Sequence, residues 1–363
     1  MTHLLTRNCL AVLVIVCVYY PAFASGNDGP EFSKLEAGKT SPVAAERRPL
    51  RPFANGLGQE FVPVPALRVF FCRWETRVRD FRAFVGDRRW VDPAIGRPYD
   101  YGSEEFGRPM FTLTRQGWKQ AGGTWAKPGF AQSEENCVVG VSWLDAAAFC
   151  RWLTDRERAG ERLPSGWEYR LPTDAEWSAA VGSALYPWEN DNYIPSGAGN
   201  YTGDEARDGN FPDNFGTIRG YWDGYARTAP VASFKPNQYG ICDLGGNATE
   251  WCLDWYRKEM NSEFTKEIDA GKFDKDNKKF YRETLLSIIN NDGDGEKYRT
   301  VRGGSWFTVG RGCTRSYYRS AALPGDRSSQ GGFRVVCAPS AQIVADGSIQ
   351  PPQALAGARG VDR

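Results

Sequence analysis

The chain has 363 residues, with 45 Lys and Arg against 44 Asp and Glu, and a single histidine, His3. A near-neutral chain has no basic excess for phosphate contacts, which sets nucleic acid aside as a partner. With no histidine beyond position 3, Ser-His-Asp and Cys-His catalysis, His-bearing zinc sites and imidazole-ligated iron are excluded from the body of the chain, leaving oxygen donors and thiols.

The first element reads as an export signal. Arg7 precedes the apolar run Cys9–Tyr20, and Ala22, Phe23 and Ala24 form a small-residue cleavage site, the three parts of a signal peptide over residues 1–24. The run is too short to span a bilayer comfortably, so no membrane span is expected after cleavage and the destination is periplasmic or secreted. Residues 25–57 are polar and aperiodic, a linker to a domain expected over 58–340.

Within that domain Phe61, Val62, Val64, Leu67, Val69 and Phe71 are strand material interrupted by Pro63 and Pro65. Thr76 is read as the cap of a helix whose face is Val78, Phe81, Phe84 and Val85. Residues 86–136 show no clear period. Val138, Val139 and Val141 predict a short strand, after which Ser142, with Asp145 three residues on, opens a helix with the face Ala146, Phe149, Cys150 and Leu153. A second capped helix spans Leu171–Val181, opened by Pro172 and Thr173 with Glu176 completing the box. With 40 Gly, 22 Pro and 13 Trp, the rest predicts short strands and long ordered loops.

Residues 257–299 are dominated by Lys, Asp and Glu and are read as a surface insertion, with an amphipathic helix near Phe280. Their NNDGDGE run resembles the start of an EF-hand loop, but Val301 stands where the bidentate Glu belongs. Residues 341–363 are read as a flexible tail.

Two constellations carry chemistry. The segment Asp243–Trp251 sets a carboxylate, two glycines, an amide and Glu250 in one turn-rich stretch, which suits a hard cation such as calcium; the alternative is an Asx turn plus a buried Glu held by amides. Residues 199–203 with 221–230 are similarly rich in oxygen donors. In the Gly303–Arg319 stretch, Cys313 lies among Arg311, Arg315 and Arg319, which would favour a reactive thiolate. The competing reading makes Cys313 half of a structural disulfide, since seven cysteines follow the signal: Cys72, Cys137, Cys150, Cys242, Cys252, Cys313 and Cys337.

In order, ETRVRDFRAFV, GVSWLDAAAFCRWL, YRLPTDAEWSAAV, TAPVASFKPNQYGICDLGGNATEW, VRGGSW and GGFRVVC resemble the sulfatase-modifying factor or formylglycine-generating enzyme family, from about Gly58 to Cys337. The resemblance implies an α+β fold, the family's variant of the C-type-lectin-like fold, with little regular secondary structure, short strands and two main helices. It implies calcium on Asp243, Gly246, Ala248 and Glu250, and again on Asn200, Tyr201, Asp223 and Tyr225, with a longer loop here between the two halves of the second set. It also implies a Cys150–Cys337 disulfide and makes Cys252–Cys313 a candidate pair.

The family's founding activity is a copper-dependent oxidation of a sulfatase cysteine to formylglycine, with copper held between two cysteines after the GGS turn. Those positions are Thr308 and Cys313 here, so copper is doubtful, although Ser305 matches a catalytic support position. The resulting expectation is an exported, calcium-stabilised protein that binds a ligand or another protein, such as a sulfatase, through residues 303–332. The alternative is an oxidoreductase with altered metal ligation that uses Cys313 and Ser305.

Overall fold

The computed structural model describes residues 51–340 apart from 65–66, 68, 190–192, 208–210, 212–215, 258–259, 261, 263–296 and 310–311, together with 342–343 and 349–350. The signal peptide, most of the linker, the helix expected near Phe280 and the NNDGDGE run lie outside the described residues. No described helix is long and apolar enough to cross a membrane.

In chain order the elements are β1 (Phe53–Ala54), β2 (Glu60–Val64), β3 (Val69–Cys72), α1 (Val78–Gly86), β4 (Val91–Asp92), β5 (Arg97–Pro98), β6 (Met110–Thr114), β7 (Gly117–Gly123), α2 (Trp143–Ala159), β8 (Trp167–Arg170), α3 (Asp174–Val181), β9 (Thr249–Trp255), β10 (Arg299–Arg302), β11 (Ser320–Ala322), β12 (Gly331–Gly332) and β13 (Val336–Pro339). The fold is α+β, with three helices among several small sheets. One sheet runs β1-β2-β3-β13-β8, a second runs β11-β10-β9-β12, and β4-β5 and β6-β7 form hairpins.

The first sheet has an apolar layer on each face, and its pleat does the sorting. Phe61, Phe70, Cys72, Val335 and Cys337 belong to one core cluster with Phe81, Phe84, Phe149 and Trp152 of α1 and α2. Their chain neighbours Val62, Phe71, Val336 and Ala338 belong to another, with Trp177 of α3 and with Ile241 and Leu244. Alternate residues along a strand point to opposite faces, so a run such as VFFC, buried at every position, is what a doubly covered strand requires.

The helices start where local chemistry places them. Ser142 and Asp145 cap α2 reciprocally (Ser142 N–H to Asp145 at 2.8 Å, Asp145 N–H to Ser142 Oγ at 3.1 Å), and Thr173 and Glu176 do the same for α3. The cap of α1 is Arg77 rather than Thr76; its backbone N–H donates to Asp80, three residues on.

Three further expectations shift. Order begins before Gly58, because Phe53 of β1 stacks on Phe61 at 5.0 Å. Pro63 does not interrupt β2, since β1 pairs only with Glu60 and Phe61, leaving Pro63 on an open edge where a missing donor is tolerated. The Val138–Val141 stretch is fully buried but is not a strand. Its backbone bonds to scattered partners instead of one neighbouring strand: Val138 N–H donates to Thr76, Gly140 N–H to Ser328 and Gly331, and the Trp251 indole donates to the Val141 carbonyl.

The polar segment that follows β9 leaves and returns at one point. Trp255 lies opposite Arg299, Tyr256 N–H donates to the Tyr298 carbonyl, and the Arg299 guanidinium lies 3.7 Å from the Trp143 ring and 3.5 Å from the Trp255 ring.

Candidate functional site

The turn after Cys242 is built on two non-glycine residues in the left-handed region, Asp243 (φ 60°) and Asn247 (φ 65°), a conformation that Asn and Asp tolerate best. Asn247 then acts as a hub. Its amide group donates to Glu75 at 2.7 Å, and its oxygen accepts from Asn200 and from Ala229 N–H. Glu75, fully buried, also accepts the Ala248 N–H. At Gly246 a Cβ would stand 2.5 Å from the Asn200 carbonyl oxygen, so this turn seats directly on the second oxygen-rich loop.

Strand β9 carries Glu250 inward opposite Gly332 of β12. Arg334, two residues beyond, donates to Glu250 Oε1 at 2.7 Å and Oε2 at 3.1 Å and to the carbonyls of Cys72 and Cys242, while the Trp177 indole donates to Glu250 at 2.9 Å. Three buried carboxylates thus gather round one guanidinium. Burial pushes Asp243 up to about 6. Burial, followed by the charges of Asp243 and Glu250, pushes Glu75 well above the usual carboxylate range. Glu75 and Arg334 were not among the sequence candidates; the WETR and GGFR blocks contain them, but nothing local to either block shows that they meet.

The second set also comes together. Both Asp223 oxygens accept backbone N–H groups, from Tyr201 at 2.8 Å and Tyr225 at 2.9 Å, which closes the two halves of the loop on each other. Asn200 is fully buried and gives its amide hydrogens to Arg227 and Asn247. Burial pushes Asp223 up to about 7.

The Gly303–Arg319 stretch opens on a turn. Ser305 and Thr308 form a closed turn: Ser305 N–H donates to Thr308 Oγ1 and Thr308 N–H returns to the Ser305 carbonyl, each at 2.9 Å. The Ser305 hydroxyl donates to Gln330 at 3.1 Å, and Thr308 is 4% exposed. Cys313 is half-buried. The guanidinium of Arg319 is committed to Asp174, which Arg302 also grips from a fully buried position, and Arg315 lies over the Tyr186 ring at 4.5 Å. Arg311 lies outside the described residues.

Cys72, Cys137, Cys150, Cys242, Cys252 and Cys337 are buried thiols in the structure. Cys150 and Cys337 share one core cluster. Thr154, one turn along from Cys150, accepts the Tyr169 N–H, and Tyr169 lies opposite Cys337 in the sheet. Burial raises both thiols.

Residues 69–339 match the model of the sulfatase-modifying factor enzyme 1-like domain. The chain belongs to the sulfatase-modifying factor family. It is 32% identical over 235 residues to the formylglycine-generating enzyme of Streptomyces coelicolor, covering 61% of this chain and 60% of that one. The chain therefore spans less than two thirds of that relative's length. It is 27% identical over 286 residues to the inactive C-alpha-formylglycine-generating enzyme 2 of Mus musculus, covering 72% of each. The solved structure of PvdO from Pseudomonas aeruginosa aligns at a TM-score of 0.41 and 22% identity, over 74% of this chain and 80% of that one.

The family's two metals fit this member unequally. A copper(I) bis-thiolate needs two soft ligands, and the Thr308 hydroxyl is a hard donor already spent on a turn, so copper does not fit. Calcium fits better. Asp243 Oδ1 and Asn200 Oδ1 are buried with no hydrogen-bond partner, which is the condition that a cation relieves. Among the described residues no three His, Cys, Asp or Glu side chains converge as a metal cluster, so a cation at either loop would draw much of its shell from carbonyls such as those of Gly246 and Ala248, or Tyr201 and Tyr225.

Proposed function

We propose that this sulfatase-modifying factor family member is exported, is stabilised by calcium, and binds a protein or small ligand through the 303–332 surface without copper oxidase chemistry. One observation carries the reading. The position expected of a copper thiolate is Thr308, whose buried hydroxyl holds the Ser305 turn. The likeness to an inactive mammalian relative is consistent with it. Next to that turn Val309 is 44% exposed, an apolar side chain on the surface assigned here to contact. Calcium would sit on Asp243, Gly246, Ala248 and Glu250, and on Asn200, Tyr201, Asp223 and Tyr225, cross-linking loops that otherwise hold buried oxygens without partners.

The test is copper(I) titration of the reduced protein, followed by oxygen consumption with a CxPxR-type sulfatase peptide. The expected result is no tight copper binding and no turnover, while Thr308→Cys, which restores a thiol pair with Cys313, gains copper affinity. Tight binding with turnover by the unaltered chain would establish the alternative, an oxidase working from Cys313 and Ser305 with altered ligation.

The family's Cys150–Cys337 disulfide is proposed for the exported protein, where it would close a very long loop and contribute about 5 kcal/mol in the chain-entropy model. Peptide mapping without reduction is expected to recover the two cysteines in one linked species. Recovery of both as alkylated thiols would remove the pairing.

A further inference from the structure

Beside the Asn200–Asp223 loop lies a carboxylate that the ligand sets above do not include. Glu205 sits in a short 3-10 turn, Asp204–Arg207. That turn is stitched to the far half of the loop by Asp204, whose N–H donates to the Tyr221 carbonyl and whose carboxylate accepts the Gly220 N–H at 2.8 Å. These bonds hold the turn, and Glu205 with it, against the far half of the loop.

Glu205 is 9% exposed. One of its oxygens accepts the Gly203 N–H at 2.9 Å, and the other, Oε2, is buried with no hydrogen-bond partner. Its carboxylate is curled against the backbone: a Cβ at Gly203 would stand 2.4 Å from the Tyr221 carbonyl oxygen and 2.6 and 2.7 Å from the two Glu205 oxygens. Only glycine leaves room for this arrangement. Glu205 is near enough to Asp223 to help raise it electrostatically, and among the described residues neither carboxylate has an ion pair. Two neighbouring acids without an ion pair, on a loop that also carries the unpartnered Asn200 Oδ1, leave buried negative charge that a divalent cation would neutralise.

We infer that Glu205 supplies a second carboxylate to the cation held by the Asn200–Asp223 loop, giving this chain a doubly acidic site there. The inference rests on the calcium reading of that loop. It adds a carboxylate to that loop's ligand set, and a second charge raises affinity for a hard dication.

Calcium titration of the full chain, monitored by thermal shift and by competition with terbium, tests it. Tyr201, Tyr221, Trp222 and Tyr225 adjoin the loop and would sensitise terbium emission there. Glu205→Gln keeps an oxygen for the Gly203 N–H and removes the charge. The expected result is at least tenfold weaker calcium binding at the terbium-reporting site, with a melting temperature in chelator equal to or above that of the unaltered protein. A structural acid without an ion would leave affinity untouched.

Asp223→Asn separates the two levels of the argument. If Asp223→Asn abolishes binding and Glu205→Gln does not weaken it, Glu205 is not a ligand and the loop reading stands. If the unaltered protein gives no calcium-dependent shift and no sensitised terbium, the loop reading fails and the inference with it. Should Glu205→Gln not fold, Glu205→Asp keeps the charge but withdraws it by one methylene, and unchanged affinity in that variant overturns the proposal.

Discussion

Replacing Arg334 by Met is expected to destabilise the protein by about 3–5 kcal/mol, the range for breaking a buried ion pair from one side. The guanidinium is fully buried and bonds Glu250 through two nitrogens while bridging the carbonyls of Cys72 and Cys242. Its removal strands Glu250 beside Glu75 and Asp243 with no compensating charge. Urea unfolding at neutral pH in chelator measures the loss. Adding Glu250→Gln to the same chain removes one stranded charge and is expected to recover part of the stability, a coupling that distant sites do not show. The exposed Arg73–Glu60 pair is the control, since such pairs contribute about 0–1 kcal/mol. A loss below 1 kcal/mol for Arg334→Met would mean that the three carboxylates do not share its charge.

In chelator, stability is expected to fall as pH rises from about 4 to 7, the reverse of ordinary acid denaturation. Asp243 and Asp223 have folded values of about 6 and 7, well above the unfolded reference near 4. Between those limits the folded chain holds more protons than the unfolded one, so unfolding free energy declines with pH. Glu75, Asp80, Asp254 and Asp326, all raised mainly by burial, act in the same direction. Asp174 and Glu176 are lowered by their arginine partners against the cost of burial; their contribution is lost only as pH falls below about 4, outside this window. With part of the shift discounted for the solvent that reaches Asp223, the decline from pH 5 to 7.5 should be on the order of 2 kcal/mol. Calcium binds the deprotonated carboxylates, so saturating calcium is expected to flatten or invert the profile. A profile that rises through this window in chelator would show that these acids titrate normally.

What the sequence made legible was chemistry contained within a few residues. The capping boxes at Ser142 and Thr173 need only a side chain and its own backbone three positions on, so the starts of α2 and α3 could be read directly. Block order was equally readable, because it records the fold as a whole. The Val138–Val141 run failed as a strand because burial of branched apolar residues shows itself in composition, while the identity of a hydrogen-bond partner does not. Glu75 escaped for the same reason: an acid after a strand and an arginine near the far end of the domain become one centre only when β3 and β13 lie side by side. Arg319, near Cys313 in the chain, bonds Asp174 at the start of α3, a partner that no local pattern names.

The clamp at Trp255 and Arg299 has a consequence for how this domain accepts change. The departing and returning strands are registered against each other and locked by two indole rings on one guanidinium, so the geometry of exit and entry does not depend on what connects them. Loop-closure entropy grows only logarithmically, with each doubling of length costing about 0.6 kcal/mol. The frame can therefore carry an appendage of almost any size at this point, and selection is free to rewrite the intervening segment without disturbing the sheets beneath it.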